Sequence, residues 1–232
     1  LEGVSVSFAK RFIGAENLPS RLSDMDVQQS FCLSVDDVAA VAARFRHDRR
    51  VAAAIQMLFL RASGRPMDRF ASVPRTLLRS VSDAFQSAAV TIASLRSLYA
   101  RRQTLYEHQA WARTYLGIQD LDETNADQLQ AVLAVAAREA AHPDDLADTA
   151  RMWLYERRIV IPGPRRVADW ARVAFDATEA DMAATIESGL GKMALKKAID
   201  WSYASQDRMV GSHLERLKTP PKRHAPSPTA EP

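Results

Sequence analysis

A single cysteine, Cys32, stands among the 232 residues of this chain. One thiol excludes a disulfide framework and a cysteine-rich zinc site, and such sparing use fits a reducing cytosol. No apolar run reaches the length of a membrane span, so no membrane partner is expected. The opening "LEGVSVSFAKRF" lacks the long apolar core and small-residue cleavage site of a signal peptide. Its first residue is Leu, which points to a cloning remnant or a missing true start. No phosphate-cradling loop occurs: "GLGK" at 189–192 lacks the required spacing, and no strand precedes it. The five histidines, His47, His108, His142, His213 and His224, form no pair at helical spacing and match no metal-ligand pattern. The acids of 120–187 are accounted for by helix N-termini and wet faces, which leaves no two-metal carboxylate site. No catalytic residue, metal ligand or cofactor is assigned.

Charge is present in abundance, and it is segregated. Net charge is only +3, yet residues 44–113 carry thirteen Arg against four acids. Residues 120–187 carry seven Arg against fourteen acids, and from Gly189 onward eight Lys/Arg face four acids. Such blocks imply separate surfaces. A basic block is the electrostatic footprint of a polyanion-binding face, although arginine on a helix often serves only as its solvated side.

Helical punctuation dominates. Ser23 with Asp26, and Ser34 with Asp37, are spaced as capping boxes. After Ser34, Val35, Val38, Ala42 and Phe45 recur on one helical face. Val51, Ile55, Leu58, Phe59 and Ala62 form the next stripe, which Gly64 ends in a left-handed conformation. Ser72 reads as the cap of a helix with Pro74 in its first turn. Ile92, Leu95 and Tyr99 give a short helix. Thr104 and Glu107 read as a further capping box, for a helix that stops at Gly117 with Tyr106, Trp111, Tyr115 and Leu116 in the core. An Ala-rich helix follows over 124–142. Another opens on Pro143 and closes on Arg157 and Arg158, and one or two more cover 165–190 with Val167, Trp170 and Ala174 inward. The one strand candidate, "RIVIPG" at 158–163, is cut short by Pro162 and Gly163. The fold class is all-α, multi-helical, with helix-turn-helix-like junctions. From Thr219 the chain is Pro-rich and basic, so an extended, mobile tail is expected.

Two of these junctions are basic. "RFRHDRR" places Arg44, Arg46, Arg49 and Arg50 at one. "ARRQTLYEHQAWAR" places Arg101, Arg102, Thr104, His108 and Arg113 at and after the other. A helix start with free backbone N–H groups, a hydroxyl and guanidinium groups suits phosphate. Lys218, Lys222 and Arg223 form a third cluster, in an arm able to track a phosphate backbone or enter a minor groove.

The series "IQMLFLRASGRP", "VP" at 73–74, "SLYARRQTLYEHQ", "WLYERRIVIP" and "SHLERLKTPPKRHAPS" resembles, in that order, the N-terminal region of the large replicative transposases of the Tn-three family of bacterial transposons. The likeness runs from about Phe12 to Ser227. It implies a helical DNA-binding region that grips the terminal inverted repeats of the transposon. It also implies a distant ribonuclease-H-type domain, whose Asp-Asp-Glu triad uses divalent metal, beyond the point where this sequence stops. On that likeness the chain has no catalysis of its own, its partner is double-stranded DNA, and it resides in the bacterial cytoplasm at the nucleoid.

The expected organisation is a lead-in over 1–22, helical subdomains over 23–88 and 89–190, and a helical linker with the basic tail over 191–232. One basic corner from each subdomain would lie along a single duplex. The competing function is a protein-interaction or self-association module built on the acidic half, with Trp153 and Trp170, and with an incidental basic surface. A stand-alone metal-dependent nuclease is the remaining alternative.

Overall fold

Paired serines and aspartates start the first helices. The computed structural model describes residues 11–68, 70–87 and 90–203. Ser23 Oγ accepts from Asp26 N at 3.1 Å while Ser23 N donates to Asp26 Oδ2 at 2.9 Å, opening α1 (Asp24–Ser30). Ser34 and Asp37 repeat the exchange at α2 (Val35–Arg44). Then come α3 (His47–Ser63), ended by Gly64 at φ 70°, and α4 (Arg75–Ala84). The remaining helices are α5 (Ile92–Leu98), α6 (Arg102–Leu116), α7 (Glu123–Ala136), α8 (Pro143–Glu156) and α9 (Pro164–Tyr203). Gly117 ends α6 at φ 63°, and α9 is interrupted at the non-helical Gly191. The architecture is all-α. Residues 158–163 supply only an isolated parallel bridge, between Ile159 and Gln119.

Two expected helix starts fall elsewhere. Ser72 does not cap α4, because its hydroxyl donates to Leu18 O at 2.9 Å; Pro74 occupies the cap position. Thr104 does not cap α6 either. The buried face of this helix is Thr104, Leu105, His108, Gln109 and Ala112. That i, i+4 spacing makes Thr104 an interior residue, and the helix begins before it. Three apolar side chains expected inside are exposed: Val35, Tyr106 and Tyr115.

The chain divides into two compact units, Leu1–Asp176 and Ala177–Pro232. Within the first, one apolar cluster joins Phe12, Leu18 and Leu22 to α1–α6. At its centre is α3, whose side chains from Val51 to Leu60 are all buried. Gln56 is inside because its amide meets Met67 twice, donating to the carbonyl at 2.8 Å and accepting from the N–H at 3.3 Å. Leu95 and Ala112 share this cluster with residues before 88, so the helices on both sides of the expected 88/89 boundary build one core. So does Phe12, from the expected lead-in.

A second cluster in the same unit comprises Leu129, Leu133, Leu146, Trp153, Leu154, Ile161 and Val167, from α7, α8, the connection over 157–163 and the start of α9. The two clusters are stitched at the end of α3. Ile161 N donates to Gly64 O at 2.9 Å, Tyr155 OH to Arg61 O at 2.8 Å, and Gly14 N to Ser63 O at 2.7 Å.

In the second unit the described residues continue α9 to Tyr203. Met182, Ile186, Leu190, Met193, Ile199 and Trp201 are exposed there.

Candidate nucleic-acid interface

Contacts between α3 and α6 advance in the same direction along both helices. Arg49 pairs with Glu107 at 3.6 Å near one end. Gln56 and Gln109 both reach Met67 O midway. Asp37 joins Arg61 and Tyr115 at the other end. The helices are therefore parallel and start side by side. Neither start has a side-chain cap: the cap residues are Arg46 for α3 and Arg101 for α6. Arg49 N and Thr104 N turn back to the carbonyls of Arg46 and Arg101, and the first N–H groups of both helices have no side-chain cap, so the positive ends of two helix dipoles lie together, a setting for an anion.

Beside these starts, with α5 as a wall, runs an open groove of about 580 Å³, lined by Asp48, Arg49, Ser94, Ser97, Arg101 and Thr104 among others. One arginine from each basic junction faces it, although 52 positions separate them in sequence. Arg46, Arg101 and Arg102 are exposed and have no side-chain partner among the described residues. Arg44 is exposed too, with its guanidinium 5.7 Å from the centre of the Phe45 ring.

Other residues singled out from sequence have different roles. Arg50 donates to Phe45 O at 3.1 Å and Ala42 O at 3.2 Å, closing the C-terminus of α2. Arg113 pairs with Asp120 at 2.7 Å. Thr104 is buried apart from the part of it that lines the groove, and His108 has no exposed surface at all, so His108 does not project toward a ligand as expected. Lys218, Lys222 and Arg223 lie outside the described residues. Sequence reasoning passed over Arg75 and Arg79, exposed on α4. Their Arg-x-x-x-Arg spacing in "RTLLR" puts both on one helical face, and that was the available signal.

His108 forms the floor under these helix starts. Tyr99 OH lies 2.8 Å from His108 Nδ1 and donates to Ala52 O at 3.2 Å. With that proton committed, Nδ1–H of the imidazole donates to the phenol oxygen. Phe45 packs edge-on to both His108 and Trp111. Burial, reinforced by the Arg49 charge and opposed by Glu107, lowers the His108 pKa to about 4. Burial also raises the pKa of Tyr99.

A lowered histidine pKa means that the unfolded chain takes up the proton first. The His108 contribution is complete above the unfolded value of about 6.5 and is lost as pH falls from there to about 4. Urea unfolding midpoints are expected to decline across that window in the wild type and to flatten in His108→Gln. The lowered carboxylates Asp26 and Asp37 lose their contribution only further down, below their ordinary value of 3.8.

Residues 15–174 match the family described as "Domain of unknown function (DUF4158)". The chain belongs to this family. The DUF4158 region takes in α1–α8, the first turns of α9, the whole groove, the second core cluster and all of the first but Phe12. This DUF4158 chain is also similar to the transposase for insertion sequence element IS1071 in transposon Tn5271 of Comamonas testosteroni. The two are 30% identical over 188 residues, which make up 80% of this chain and 19% of that protein. The chain therefore spans about a fifth of the length of its relative. No helix among the described residues of the DUF4158 chain is long and apolar enough to cross a membrane. Among those residues, no three His, Cys, Asp or Glu gather to hold a metal ion.

Proposed function

We propose that this chain is the DNA-binding region of a transposase of the Tn-three type, that it recognises transposon terminal inverted repeats, and that it performs no catalysis itself. The observation that carries the reading is the groove between the paired helix starts. Arg49 and Arg101 line it, and exposed Arg46 and Arg102 stand at the starts of the same two helices. Uncapped N–H groups and planar guanidinium forks are the two protein groups best matched to phosphate oxygens. The similarity to the Comamonas transposase supports DNA as the source of those phosphates. Phosphate contacts position a protein on a duplex, and base edges supply the sequence preference.

The test is titration of the purified chain against a labelled duplex carrying a transposon end and against a scrambled duplex of equal length, each across a salt series. The expected result is preference for the end duplex, with affinity falling by about 0.9 log units per log unit of salt for every phosphate neutralised. Equal weak binding to both duplexes would reduce the groove to a basic surface, and no binding would reject the proposal.

A second reading, a protein-docking module, is favoured by the apolar side chains exposed along α9, from Met182 through Ile186 and Leu190 to Met193. Light scattering that returns the mass of one chain at every concentration would exclude self-association as the form of that docking.

A further inference from the structure

The exposed side of α4 borders a second basic depression. Arg75, Arg79, Ser82, Asp83, Ser87 and Val90 line a depression of about 260 Å³. Arg75, Arg79 and Ser82 are four and three residues apart, so they share one helical face. Both arginines are exposed and have no side-chain partner among the described residues. Ser82 is 4% exposed, and its hydroxyl oxygen is fully buried without a hydrogen-bond partner. The recess also holds one carboxylate, Asp83, against the two guanidinium groups.

Position gives the recess its meaning. Val90 lines both this depression and the groove between α3 and α6. Ser87 Oγ lies 3.4 Å from His47 Nε2, and His47 is the first residue of α3. The two basic depressions therefore adjoin across the start of α3. We infer that Arg75 and Arg79 hold backbone phosphates of the same duplex that enters the groove, so that one DNA strand is followed across α4, α3 and α6. This inference rests on the DNA-binding reading above.

Duplex titrations over a salt series test it with three full-length variants: Arg75→Gln/Arg79→Gln, Arg75→Lys/Arg79→Lys and, as a remote control, Arg138→Gln. Removing two phosphate contacts is expected to make the log–log salt slope shallower by about 1.8. Affinity for the end duplex and the scrambled duplex is expected to fall by the same factor, because a backbone contact reads no sequence. The lysine pair keeps the charge and is expected to keep the slope, and the control is expected to behave as wild type. A glutamine pair with the wild-type slope, on a chain that still binds the end duplex, overturns this inference and leaves the groove intact. A wild-type chain that binds neither duplex overturns both.

Discussion

Changing Arg46, Arg101 and Arg102 together to Gln is expected to weaken duplex binding about a hundredfold at about 0.15 M salt, from three lost contacts at about 0.9 counterions each. The salt slope is expected to become shallower by about 2.7. All three side chains are exposed and make no side-chain bond among the described residues, so the fold does not depend on them. Surface changes of this kind move stability by only about 0.5 kcal/mol. Arg50→Gln supplies the opposite pattern. Its guanidinium is spent on the last carbonyls of α2, so the change is expected to cost about 1 kcal/mol of stability and leave the salt slope in place. Parallel thermal melts and salt titrations separate the two behaviours. A triple variant that binds like wild type would remove the groove from DNA contact.

The largest loss of stability is expected from Gly64→Ala. Gly64 sits at φ 70°, in the left-handed region, and an added methyl group would lie 2.8 Å from Ile161 Cδ1 and 3.1 Å from Tyr155 Cδ2. Those two side chains cannot yield freely. Ile161 belongs to the second core, and the Tyr155 hydroxyl is bonded to Arg61 O. The backbone penalty of about 1–2 kcal/mol and the overpacking penalty of about 1–3 kcal/mol act together. A combined loss of about 3 kcal/mol corresponds to a fall in Tm of about 6–12 °C. Gly117→Ala isolates the first contribution. It has a similar φ of 63°, but the nearest atom to an added methyl group is Arg158 Nη1 at 3.8 Å. Circular dichroism melts of the two variants should differ by the cost of pressing on Ile161 and Tyr155. Equal melting points would show that the joint at Gly64 is compliant.

Features set by neighbours in sequence were the ones readable from it. The boxes at Ser23 and Ser34 and the glycine stops at 64 and 117 need only a few adjacent residues, and all four are present. Features that depend on distant partners were not readable. Thr104 and Glu107 have the spacing of a capping box, but core packing claims Thr104 and moves the helix start back to Arg102. His108 reads as a surface ligand until Tyr99 is placed against its ring. Arg50 and Arg113 are indistinguishable in sequence from Arg46 and Arg102; only the positions of Ala42 O and Asp120 show that they are already engaged. The two basic junctions were visible separately. Their meeting in one groove follows from the parallel packing of α3 against α6, which no local pattern encodes.

That packing governs how the groove responds to a ligand. The helix starts stand on Phe45, Tyr99, His108 and Trp111, whose rings are locked edge to face or by hydrogen bonds. Further along, α3 is enclosed on every side from Val51 to Leu60. On the DNA-binding proposal, an anion at these helix starts would meet a rigid base, and only the long arginine side chains would have freedom left to lose. Association at this end would then be the docking of a rigid die rather than the closing of a hand. The heat-capacity change expected on such binding is that of the contact surface alone, without the larger signal of a segment that folds as it binds.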